Sequence, residues 1–135
     1  EFARSQRVRP LLDTLLADPD ALTILISDEF GNYAIKAALD EEHERICQVV
    51  CKHFVEFATD TYGNHVVQKC IEVGPEVWLV CFTTLFITHG DALASEQRTS
   101  SLVRRTLEKT LSTRGMRTEL KQLQTIRQLF KRISL

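Results

Sequence analysis

Asn64 and Gln68 stand four residues apart with His65 beside the first, so on a helix the two amides share one face, one above the other. Each primary amide offers two N–H donors and a carbonyl acceptor, a set that can meet the mixed donor and acceptor edge of a nucleobase. His65 sits about 100° around the helix and presents a flat ring for stacking. The same arrangement recurs upstream as Asn32, Tyr33 and Lys36, where an ammonium takes the place of the second amide. An ammonium only donates, so Lys36 can reach a base carbonyl or a phosphate but cannot accept a proton from a base. A fainter third set is Ser100, Ser101 and Arg104. Ser101 has no ring to stack with, Arg104 can stack or contact phosphate, and no base is assigned there.

A different chemistry is offered by His43, Cys47 and Cys51, which could line one helix face at metal-ligand spacing. Both cysteines fall on an apolar arc, where free cysteine behaves as a small hydrophobe, and a closed zinc site needs a further ligand from another element. They are expected to be reduced, buried and metal-free. There is no glycine-rich phosphate loop, His-Glu-x-x-His pair or nucleophile elbow. The acidic run Asp40–Glu44 reads as a helix start rather than a catalytic carboxylate pair. Neither an enzyme nor a cofactor is expected.

The elements that must carry these residues are helical throughout. Asp40 reads as an N-cap followed by Glu41, Glu42 and Glu44, with apolar positions at Ile46, Val49, Val50, Phe54 and Phe57. Cys47, Cys51 and Val55 widen that stripe, as in a helix packed on two sides. Val66, Val67, Cys70 and Ile71 turn inward behind the Asn64–Gln68 face. The tail Met116, Leu120, Leu123, Ile126, Phe130, Ile133 has a second stripe with Arg and Lys mostly off it, and reads as a basic capping helix. Pro19-Asp20 and Gly74-Pro75 punctuate the chain. The longest uncharged run, Val77 to Gly90, is too short to span a bilayer as a helix, so no membrane partner is expected. Four cysteines do not make a disulfide framework in a chain with this much apolar content, which favours a reducing compartment, the cytoplasm or the nucleus or nucleolus.

Charge is unevenly spread. Residues 1–97 hold 7 Lys and Arg against 16 Asp and Glu, whereas residues 98–135 hold 10 against 2. The overall charge of −1 therefore conceals a basic end suited to a polyanion, or to pairing with the acidic part.

Self-comparison organises the whole. Glu29-Phe-Gly-Asn-Tyr-Ala-Ile-Lys-Ala-Ala-Leu39 lies over Thr61-Tyr-Gly-Asn-His-Val-Val-Gln-Lys-Cys-Ile71 at an offset of 32 residues, and Thr99–Glu108 repeats it weakly. Periods of this size mark solenoids of helical units. These blocks, Tyr62–Glu72 above all and Phe30–Lys36 clearly, resemble the RNA-contacting helix of the PUF (Pumilio) repeat. The resemblance implies an all-α, right-handed α-solenoid of about three repeats plus terminal helices. Residues 1–20 would end a preceding repeat or form a cap, 21–57 and 58–94 would be repeats, and 95–135 a degenerate repeat with the capping helix. It further implies one base per repeat, with Asn32, Lys36, Asn64 and Gln68 on base edges and Tyr33 and His65 stacking. Asn with Gln around an aromatic or His reads uracil in that family. The partner would be U-containing single-stranded RNA in untranslated regions, and the outcome mRNA regulation and translation repression with protein co-regulators. The rival reading is a degenerate helical scaffold that binds protein without RNA readout; Lys36, the poor third unit and the acidic first two-thirds speak for it. The short chain also leaves self-association through Trp78, Phe82 or the tail open.

Overall fold

A computed structural model describes residues 13–14 and 17–114, which contain seven α-helices and no strand. The expectations for residues 1–20, as the end of a preceding repeat or a cap, and for the basic capping helix fall largely or wholly outside the described residues.

Helix α1 (Pro19–Ile26) starts where Asp18 Oδ1 accepts from the Asp20 and Ala21 amides, with proline in the first turn. Helix α2 (Gly31–Lys52) breaks at Glu42 (φ −122°, ψ 36°), two residues beyond the expected cap at Asp40. Its second half is the helix expected after Asp40, but it stops at Lys52 rather than running on through Phe57. His53 (φ −121°, ψ 39°) separates it from the short α3 (Phe54–Ala58), so Phe54 and Phe57 belong to the next unit. Helices α4 (Gly63–Val73) and α5 (Glu76–Thr88) are parted by Gly74 and Pro75, both extended, because the residue before a proline is driven out of the helical region. A short α6 (Gly90–Ala94) leads into α7 (Gln97–Thr113).

A short helix thus leads into a longer one three times: α1 into α2, α3 into α4, α6 into α7. Helix α4 packs against both α2 and α7, so the long helices stack in that order, and α5 lies against α2 and α4. The fold is an all-α stack of helical repeats.

One continuous core runs through the stack. Leu22 and Ile26 of α1 join Ile35, Leu39, Ile46 and Val50 of α2, then Val66, Val67, Cys70 and Ile71 of α4, and finally Val103 and Leu107 of α7. The inward set expected for α4 is wholly buried. Phe54 stacks on Phe82 with ring centroids 6.1 Å apart, tying α3 to α5. A truncated Leu or Phe in such a core costs about 2–5 kcal/mol, so these residues hold the register of the stack. No described helix is long and apolar enough to cross a membrane.

Candidate nucleic-acid interface

The helix starts of α2 and α4 are built identically. Asp28 Oδ2 accepts from the Phe30 and Gly31 amides at 2.9 and 2.7 Å, and Asp60 Oδ2 accepts from the Tyr62 and Gly63 amides at 3.0 and 2.6 Å. Each carboxylate satisfies main-chain donors that a helix N-terminus leaves free. Close approach demands glycine at position 31 and leaves little room at position 63. A Cβ on Gly31 would lie 2.7 Å from the Leu25 carbonyl oxygen, and one on Gly63 3.2 Å from that of Phe57.

Asn32 and Asn64 complete this frame instead of reaching into solvent. Asn32 Nδ2 donates to the Asp28 and Glu29 carbonyls, and Asn64 Nδ2 to those of Asp60 and Thr61, all at 2.8 Å. The two asparagines are only 2% and 1% exposed. The two side chains expected on base edges are thus turned to their own main chain instead. An amide one turn into a helix finds its nearest acceptors on the preceding main chain, and both its N–H protons go there. Ser100 does the same in the third unit, its hydroxyl donating to Glu96 O at 2.8 Å and Gln97 O at 3.3 Å. The register that pairs Asn32, Asn64 and Ser100 is thus matched by their hydrogen bonds.

The ring positions are exposed. Tyr33 is 66% exposed and His65 is likewise on the surface. The corresponding Ser101 is half-buried. Lys36 places its ammonium 4.5 Å from the centroid of the Tyr33 ring, a cation–π contact that covers one face.

Gln68 is half-buried and bridges two repeats. Its Nε2 donates to Asn64 Oδ1 at 2.7 Å, and its Oε1 accepts from the Thr106 hydroxyl at 3.1 Å. An amide has two donor protons and its oxygen two lone pairs, so one of each remains. Those two can serve the carbonyl and the ring N–H of a uracil-type edge. Asn64 keeps no donor, and orients Gln68. Arg104 is exposed and pairs with Glu108 at 3.1 Å on its own helix.

Sequence reasoning missed Asp28, Asp60 and Thr106. The two aspartates carried a signal, since each stands four residues before its asparagine in both copies. Thr106 is 38 residues from Gln68 and carried none.

Away from this face, Cys47 and Cys70 are buried, while Cys51 and Cys81 are half-buried. All four are free. Burial, then the neighbouring Cys81 and Cys47, pushes the Cys51 thiol up to about 12. Among the described residues no three His, Cys, Asp or Glu side chains converge to hold a metal.

Residues 53–77 match the Pumilio-family RNA binding repeat. The match begins at the His53 break and covers α3, the Asp60 cap, Gly63, Asn64, His65, Gln68 and the Gly74-Pro75 stop. The chain carries a PUF repeat. Pumilio homolog 9 of Arabidopsis thaliana is 33% identical over 54 residues, 38% of this chain and 10% of that relative. The chain thus matches only about a tenth of that protein's length. No solved structure matches. Within the PUF repeat, the frame of Asp60, Gly63 and Asn64 fixes where His65 and Gln68 emerge, and α2 copies that frame one unit earlier.

Proposed function

We propose that this chain binds single-stranded RNA, with a uracil stacked on His65 and read by Gln68. A second base stacks on the open face of Tyr33 beside Lys36. The observation that supports this best is the duplicated frame, which exposes a ring in each of two adjacent units beside a longer polar side chain one turn on. Asn32 and Asn64 serve as positioning residues. Gln68 offers one donor and one acceptor; Lys36 offers donors alone and discriminates less. Ser100, Ser101 and Arg104 contribute weakly, since the third unit lacks a ring. The biological outcome in this reading is post-transcriptional control of mRNAs through their untranslated regions, in the cytoplasm and with protein co-regulators.

Base–aromatic stacking is worth about 1–3 kcal/mol per base, and two positions must offset an association cost on the order of 4–15 kcal/mol. Binding by this chain alone is accordingly weak, and the assay needs protein at high concentration. The test is equilibrium binding of labelled oligo-U against oligo-A at two salt concentrations. Oligo-U should bind more tightly at both. Equal affinity would refute base readout and favour the protein scaffold.

A further inference from the structure

Among the described residues, the start of the basic segment meets the base-reading face in a groove. A groove of about 610 Å³ runs between α4 and α7, with Gln68 and Glu72 on one side and Arg105, Thr106 and Lys109 on the other. Arg114 closes its end, donating to the Glu72 and Gly74 carbonyl oxygens at 2.8 and 3.1 Å. Gln68 belongs to both surfaces: it lies one helical turn from His65 and lines the groove.

Arg105 and Lys109 are four residues apart on α7 and both are exposed. Their surroundings differ from those of the other cations nearby. Arg104 is held by Glu108, and the Arg114 guanidinium is spent on main-chain carbonyls. Among the described residues neither Arg105 nor Lys109 has an ion pair within 4.0 Å. Glu72 is the one carboxylate among the described residues lining the groove, against three cations. Thr106 supplies no donor, because its hydroxyl proton is shared between Leu102 O and Gln68 Oε1. What the groove offers is two cations without an ion pair among the described residues, a donor-only set suited to a singly charged, oxygen-rich anion, while the spare Gln68 N–H stays with the base.

We infer that Arg105 and Lys109 bind a phosphodiester of the same RNA strand whose base occupies the His65 and Gln68 position. The inference rests on the RNA reading above and adds a backbone contact to it. It also accounts for the uneven charge: units one and two present a ring and a polar group for bases, while unit three, which lacks the ring, holds the backbone. Phosphate contact positions a strand without reading it, so base preference should not depend on these two residues.

The test is the salt dependence of oligo-U binding for the full chain and for Arg105→Gln, Lys109→Gln and Glu72→Gln, with Lys52→Gln as control. Lys52 carries the same charge in the separate groove lined by Trp78 and Cys81. Removing one phosphate-binding cation should reduce the slope of log K against log salt by about 0.7 for a single strand. Arg105→Gln and Lys109→Gln should each weaken binding several-fold and flatten the slope, with the preference for U over A retained. Glu72→Gln should tighten binding, and Lys52→Gln should leave the slope unchanged. Unchanged slopes for Arg105→Gln and Lys109→Gln, with U still preferred, overturn the phosphate site and leave the base reading standing. Equal flattening by Lys52→Gln also overturns it, since that is long-range attraction rather than direct binding. No preference for U in the unsubstituted chain refutes the base reading instead. Circular dichroism of each variant guards against loss of fold, and all four positions lie outside the buried core.

Discussion

Replacing Asn64 by alanine removes two Nδ2–H···O=C bonds of 2.8 Å from a side chain that is 1% exposed. Each such bond contributes about 0.5–1.5 kcal/mol net, which gives roughly 1–3 kcal/mol for the pair. The Asp60 carbonyl keeps a partner, because it also accepts from the Asn64 amide at 3.2 Å, so it is not orphaned. Alanine's better helix propensity returns about 0.6 kcal/mol. Gln68 is deprived of an acceptor, but it is half-buried and water can take that place. The expected net cost of Asn64→Ala is about 0.4–2.4 kcal/mol. Serine should behave differently, because Ser100 holds the same two carbonyl positions through one hydroxyl in the third unit. Asn64→Ser should keep one good bond and cost about 1 kcal/mol less than alanine. Urea unfolding followed by circular dichroism, with the denaturant slope unchanged, measures both. If alanine and serine destabilise equally, or if alanine costs nothing, the asparagine is not the structural lock described here.

Other outcomes follow from the same geometry. Gly31→Ala should destabilise, since its Cβ would meet the Leu25 carbonyl oxygen at 2.7 Å; Gly90→Ala, with nothing within 4 Å, should stabilise by up to about 1 kcal/mol, both read from thermal unfolding. Cys51, held at about 12 against an unfolded value of 9.0, should resist alkylation at pH 8 in the folded chain and react on unfolding. Because the folded thiol keeps its proton while the unfolded one loses it, this group leaves stability unchanged below pH 9 and lowers it as pH rises from about 9 toward 12. Unfolding curves at about pH 8 and pH 10 check the sign. Gln68→Glu should move the preferred base from U toward G by about 1–3 kcal/mol, because a carboxylate only accepts and guanine presents a ring N–H and an amino group together. Competition binding at one RNA position measures that.

Much of the fold could be read from periodicity and punctuation. The 32-residue offset, the inward set Val66, Val67, Cys70 and Ile71, and the Gly74-Pro75 stop all depend on local chemistry and carry over directly. The break at His53 was hidden, since neither glycine nor proline marks it and the apolar stripe continues across it into Phe54 and Phe57. For the candidate site, helical spacing put Asn64 and Gln68 on one face but could not say which acceptors lay nearer than solvent. That depended on where α4 begins, and so on Asp60. The Gln68–Thr106 bond joins residues far apart in the chain and is a consequence of stacking alone.

Central to the account is the exposed ring in each of two units, and binding of a U-rich RNA before and after its removal tests that directly. Tyr33→Ala and His65→Ala should each lower affinity for oligo-U by about 1–3 kcal/mol, roughly five-fold to over a hundred-fold, with far-ultraviolet circular dichroism unchanged because both rings lie outside the core. Unaltered oligo-U affinity in the double variant, with its fold intact, would contradict RNA binding at this face.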